Sequence, residues 1–98
     1  MPKLTDPEIA ERLKTVPQWT RDGDRIHREF TCPTFADAVA FIVRVGFDAE
    51  AADHHPDILI NYKRVTLTFS THSEGGLTEK DFAGAEATTR IALALGAT

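Results

Sequence analysis

The chain has 98 residues, with 11 Lys and Arg against 15 Asp and Glu, four His and a single Cys, for a net charge of −4 at pH 7. That length fits one domain, residues 1–98, burying only about 60–65% of its unfolded surface, so self-association or tight helix-on-sheet packing is expected to complete the core. The acidic balance, with no Lys/Arg cluster, excludes a binder of nucleic-acid backbones, and the lone Cys32 excludes both an internal disulfide and a Cys-built zinc site.

The first residues run straight into acidic side chains without the apolar stretch of a secretory signal. No segment is long and apolar enough to span a bilayer. The reading is a cytoplasmic protein with no membrane partner.

The elements follow in chain order. Thr5, Thr34 and Thr78 each precede by three residues a carboxylate, at Glu8, Asp37 and Asp81. This is the capping pattern that satisfies the free N–H groups at a helix start. A first helix is predicted over about Asp6 to Lys14, stopping before Pro17. Strands follow over Gln18 to Arg21 and Arg25 to Cys32, joined by an Asp22-Gly23 turn. A second helix is predicted from Phe35 to about Asp53, where Phe35, Val39, Ile42, Val45, Ala49 and Ala52 form an apolar stripe.

Next comes a second hairpin in which Ile58, Ile60 and Tyr62, then Val65, Leu67 and Phe69, alternate with polar or outward residues and turn near Lys63-Arg64. A third helix is predicted over Glu79 to Leu95, with Phe82, Ala85, Ala92 and Leu95 inward and Gly96 as its stop. The order α-β-β-α-β-β-α implies an α+β fold. Its four-stranded antiparallel sheet has three helices packed on one face, because one face of each strand is polar.

Three of the four histidines, His54, His55 and His72, fall on segments that the second hairpin returns to one edge of the sheet, whereas His27 lies apart. Imidazole suits proton transfer near neutral pH because its usual pKa of about 6.5 leaves both forms populated. Loops at strand and helix ends are where a rigid scaffold displays such groups. Two rival readings stand beside catalysis. His54 and His55 could serve only the C-terminal dipole of the second helix. A metal site using Asp53 and Asp57 as further donors is also conceivable, although adjacent histidines diverge. Asp81 reads as a helix cap first, Trp19 as core or as a flat face for a planar ligand, and Cys32 as inert packing.

The spacing Glu50-x3-His54-His55-Pro56-x5-Tyr62-x9-His72-x8-Asp81, with Trp19, Asp53 and the Leu-Thr-Phe-Ser-Thr-His run ending at His72, resembles the signature of the pterin-4a-carbinolamine dehydratases. The resemblance implies the fold read above and assembly as a dimer or tetramer. It implies a hydro-lyase that converts 4a-hydroxytetrahydropterin to quinonoid dihydropterin and water, in tetrahydrobiopterin recycling, with no metal or organic cofactor. His54 and His72 would move protons and His55 would bind substrate. Glu50, Asp53, Trp19 and Asp81 would be further substrate-binding candidates. Ile58 and Glu74 depart from the aromatic residue and cysteine of animal members. The alternative is a non-catalytic relative serving as an assembly or dimerisation factor, a role that has no need of the three histidines.

Overall fold

The computed structural model describes residues 2–98. All three capped helices form where the Thr residues predict them: α1 over Asp6–Leu13, α2 over Phe35–Ala52 and α3 over Glu79–Ala94. At α1 the Thr5 N–H donates to Glu8 Oε1 at 2.9 Å, while the Glu8 N–H donates to Thr5 Oγ1 at 3.4 Å. Thr34 Oγ1 accepts the Asp37 N–H at 3.1 Å. At α3, Asp81 Oδ2 accepts the Thr78 N–H at 2.9 Å.

Four strands, β1 (Thr20–Asp22), β2 (Arg25–Thr31), β3 (Asp57–Asn61) and β4 (Arg64–Phe69), make one antiparallel sheet in the order β1-β2-β4-β3. Along β4, Val65, Leu67 and Phe69 are buried beneath the helices, and Thr66 and Thr68 point to the uncovered face. Helices α2 and α3 pack on each other and on β4. The chain is therefore the expected two-layer α+β arrangement.

Both hairpin turns sit one residue away from their predicted places. Asp22 pairs with Arg25, so Gly23 and Asp24 form the first loop. Gly23 adopts φ 62 there, the positive angle that a tight hairpin turn demands. Asn61 pairs with Arg64, so the second loop is Tyr62-Lys63, with Tyr62 itself left-handed at φ 55. Leaving the strand lets the Tyr62 ring stack on Phe35, 6.5 Å away and inclined by 19°.

Two expectations about burial change. The inward face of α2 carries Ala38, Phe41, Val45 and Ala49, with Ile42 half-buried, whereas Phe35, Val39 and Ala52 are exposed. Apolar residues occupy two sides of this helix, so periodicity alone fits either side and packing selects one. All five residues of β3 are exposed, because β3 is an edge strand. Ile58 and Ile60 lie across from Leu67 and Val65 of β4, on the face of the sheet that the helices cover.

The centre of the core is a run of aromatic rings. Trp19 meets Phe30 at 6.1 Å and Phe69 at 5.8 Å, and Phe30 meets Phe41 edge-on at 5.1 Å. Such pairs contribute about 0.5–1.5 kcal/mol each beyond area burial. Cys32 is buried in the same cluster, and burial pushes its thiol up, with Asp37 adding to the rise.

Candidate active site

The end of α2 aims the first histidine. Helix α2 closes in a Schellman arrangement, the Asp53 N–H donating to the Glu50 carbonyl at 3.2 Å and the His54 N–H to the Ala49 carbonyl at 3.1 Å. Asp53 supplies the left-handed residue at φ 51, ψ 42, a conformation that Asp tolerates better than most residues. The reversal carries the chain toward the first turn of α3, where His54 Nε2 lies 2.7 Å from Asp81 Oδ1.

Asp81 is fully buried. Its Oδ2 accepts the Thr78 N–H and, at 2.8 Å, the Thr71 hydroxyl. Thr71 Oγ1 also lies 2.9 Å from Thr78 Oγ1. A hydroxyl has one proton, and Thr71 gives its own to Asp81, so Thr78 is the donor in that pair. An ionised Asp81 can only accept, so against it His54 donates its Nε2–H and keeps Nδ1 as the nitrogen open to a ligand. The His54 ring also stacks on Phe69 at 5.9 Å and 19°, and only 11% of its side chain is exposed. A cavity of about 230 Å³ opens beside it between α2 and α3, lined by His54 and Phe69 with Val45, Ala49, Ala52 and Ala83.

His55 and His72 are placed differently. His55 Nε2 meets Glu50 Oε1 at 2.7 Å, both side chains standing in solvent. His72 is exposed at the start of a short turn, His72–Glu74, closed by pairing of Thr71 with Gly76. It lines a second, more polar cavity of about 360 Å³ with Asp24, Arg25, Asp57, Thr68 and Ser70. Successive residues of a strand face opposite ways, so β4 stands between the two cavities, with Phe69 in the first and Thr68 and Ser70 in the second. His54, His55 and His72 all flank the same end of the β3–β4 hairpin, yet His54 lines the first cavity, His72 the second and His55 neither. His27 pairs across from Thr68 on β2 and lines neither.

A family model described as pterin 4 alpha carbinolamine dehydratase matches residues 2–91. The chain belongs to the pterin-4-alpha-carbinolamine dehydratase family. A relative from Roseiflexus sp. (strain RS-1), provisionally named pterin-4-alpha-carbinolamine dehydratase, is 54% identical over 82% of this chain and 86% of its own. One with the same provisional name from Chloroflexus aurantiacus is 52% identical over 93% of this chain and 98% of its own. A crystal structure described as transcriptional coactivator/pterin dehydratase from Brucella melitensis superposes with a TM-score of 0.89 at 36% identity, covering 92% of this chain and 98% of that one. A pterin dehydratase-like protein described as a RuBisCO assembly factor in the alpha-carboxysome shares the fold, with a TM-score of 0.64 at 20% identity over 76% of this chain and 86% of that one.

Within this dehydratase framework several residues take other places than those expected. Trp19 is no open face for a pterin ring: it is 4% exposed, and its indole N–H donates to Thr89 Oγ1 at 3.0 Å. Asp81, expected as a substrate contact, is fully buried, with Oδ1 2.7 Å from His54 Nε2. Glu50 is taken up by His55, and Asp53 shapes the helix end. Thr71 and Thr78 enter the site without having been singled out for it. Their only signal in the sequence is the capping pattern at Thr78 and the position of Thr71 just before His72. Among the described residues, no group of three or more His, Cys, Asp or Glu side chains gathers to hold a metal ion, and no helix is long and apolar enough to cross a membrane.

Proposed function

We propose that the chain is a hydro-lyase that dehydrates a 4a-hydroxytetrahydropterin to the quinonoid dihydropterin and water, as a step in tetrahydropterin recycling in the cytoplasm. In this reaction the C4a–O bond breaks as its oxygen takes a proton and leaves as water. The N5–H bond gives up its proton to a base, and its electron pair forms the N5=C4a double bond. Hydroxide leaves poorly unless protonated, so an acid and a base must both be in reach, an effect worth about 10²–10⁴ in rate for each positioned group.

The observation that carries this reading is the Asp81-braced imidazole of His54 beside an opening of about 230 Å³. With Nε2 tied to a buried carboxylate, Nδ1 meets the substrate in one orientation, and the carboxylate stabilises the imidazolium when a proton arrives. His54 and His72 are the proton-transfer groups of the proposal and His55 a substrate-binding group. The test is stopped-flow measurement of 4a-hydroxytetrahydropterin breakdown with and without the protein. Acceleration is expected; a rate equal to the uncatalysed one removes the reading and leaves a scaffold role.

Self-association belongs to the same proposal. The side of α2 away from the core exposes Phe35, Val39, Val43 and Phe47, with Tyr62 stacked on its end. Phe35, Phe47 and Tyr62 are half to three-quarters exposed, which at about 150–250 Å² per aromatic side chain presents about 290–480 Å². Val39, Val43, Ile58 and Ile60 extend this patch. It then passes the about 300–600 Å² of the largest patch on a typical monomer and approaches the about 800 Å² per partner of a standard interface. The order Phe-Val-Val-Phe at four-residue steps reads alike in both directions, as a two-fold pairing of antiparallel helices requires. The occupant is a second copy, with Phe35 against Phe47 and Val39 against Val43. Light scattering should give at least a dimer mass, with Phe47→Asp shifting it to the monomer; a monomeric parent overturns this part.

A further inference from the structure

Gly84 sits inside α3, where glycine is a poor helix former, and its place has a steric reason. A Cβ at this position would lie 2.5 Å from Phe69 Cε1 and 2.8 Å from Phe69 Cζ. The missing methyl lets the Phe69 ring come close against α3, and the same ring stacks on His54. The same two residues, with Ala49, Ala52 and Ala83, wall the cavity beside His54, while its charged lining residues, Asp48 and Lys80, are exposed. The space is thus apolar within and bounded by small side chains on two helices.

Its size says what it can take. At about 230 Å³ it exceeds the about 150 Å³ that admits benzene and falls short of the about 300 Å³ at which pockets begin to enclose whole ligands. It holds a part of a ligand: one small ring or a short chain. The covalent structure of the pterin says which part. His54 acts at the 4a oxygen or at N5, and C6 is bonded to N5, so whatever C6 carries begins beside the imidazole.

We infer that the cavity between α2 and α3 receives the C6 substituent of the substrate, an apolar short-chain group, and that the Phe69–Gly84 contact sets how deep that group can go. This rests on the dehydratase reading for the identity of the ring but concerns a different property, selectivity at C6. Gly84 and Ala83 are the specificity-determining residues of this subsite.

The test uses 7,8-dihydropterins bearing hydrogen, methyl or propyl at C6 as unreactive probes. Their dissociation constants are measured by calorimetry on the full chain, and 4a-hydroxytetrahydropterins of the same series are followed by stopped flow. In the parent, affinity should rise about fourfold per buried methylene. Gly84→Ala places a methyl at the cavity wall and against the Phe69 ring, both of which line the space, and should reduce the gain from hydrogen to propyl to twofold or less. Ala83→Val narrows the cavity from an exposed helix position and so keeps the test alive if the first variant does not fold. It should cut the gain in the same direction. A flat or falling series in the parent, or a parent-like series in the folded variants, overturns the subsite. A rising series with no acceleration of any 4a-hydroxy compound supports the subsite and overturns the reaction, so the two failures are told apart.

Discussion

His54 and His72 stand at the same end of the β3–β4 hairpin under opposite physical regimes. His54 is nearly enclosed, tied by Nε2 to a fully buried carboxylate and stacked on Phe69. His72 is exposed on a three-residue turn beside a polar cavity. Fixing a side chain costs conformational entropy that folding has already covered at His54 and that a ligand must supply at His72. One half of the site is preorganised and the other is left to adapt. That is a workable division for a reaction in which one group must be aimed and another must follow a departing water.

The largest effect expected from this contrast is on rate. Replacing His54 and His72 together by Ala should remove most of the acceleration, about 10²-fold or more, with the fold retained by circular dichroism; an unchanged stopped-flow rate in that double variant would break the catalytic assignment. His54→Ala alone should cost kcat chiefly, and His72→Ala should spread its cost between kcat and KM, because the exposed partner is ordered by substrate.

Asp81→Asn comes next. It weakens three bonds at a buried site, which should lower stability by about 1–3 kcal/mol, or about 4–8 °C in Tm per kcal/mol for a domain of this size. It should also lower kcat and displace the pH profile, since the amide no longer demands the Nε2–H tautomer. A thermally destabilised variant with the parent's pH profile would reduce Asp81 to a helix cap. Thr71→Val removes one donor to that carboxylate and should cost about 1–2 kcal/mol by denaturant titration, with a smaller loss of rate.

Glu50→Gln should be nearly silent in stability, because the His55 pair it breaks is exposed and such pairs contribute about 0–1 kcal/mol. A loss like that of Asp81→Asn would show that the two imidazoles are braced alike.

The smallest effect contrasts two capping boxes of one design. The Glu8 carboxyl at α1 is exposed and held below its ordinary value, first by the Thr5 backbone N–H and then by the Thr5 hydroxyl. Its contribution is present above the ordinary Glu range and fades as pH falls through the lowered value. Glu8→Gln should therefore flatten the acid limb of a thermal-stability profile slightly, with no effect on catalysis.

What was legible in the sequence is local. Helix starts at Thr5, Thr34 and Thr78 are decided by groups three residues apart, and the strands by two-residue alternation, so the order of elements and the sheet could be read directly. The spacing of Glu50, His54, His55, His72 and Asp81 likewise pointed to the family. The two turns slipped by one residue because Asp22-Gly23 and Lys63-Arg64 resemble turns as well as Gly23-Asp24 and Tyr62-Lys63 do. The choice between them is made by cross-strand register.

The remainder is decided by contacts between residues far apart in the chain. Asp81 carries the same capping signal as Glu8, and nothing local says that one would be buried under an imidazole from 27 positions earlier while the other stays in water. Trp19 could serve a ligand or the core until Thr89, 70 residues on, accepts its indole N–H. Helix α2 has two apolar sides, and only the sheet beneath determines which is core and which is left to meet another surface. Local hydrogen bonding and periodicity are properties of a few neighbouring residues and are written in the sequence. Burial depends on what the rest of the chain places on top, and only the assembled tertiary structure decides it.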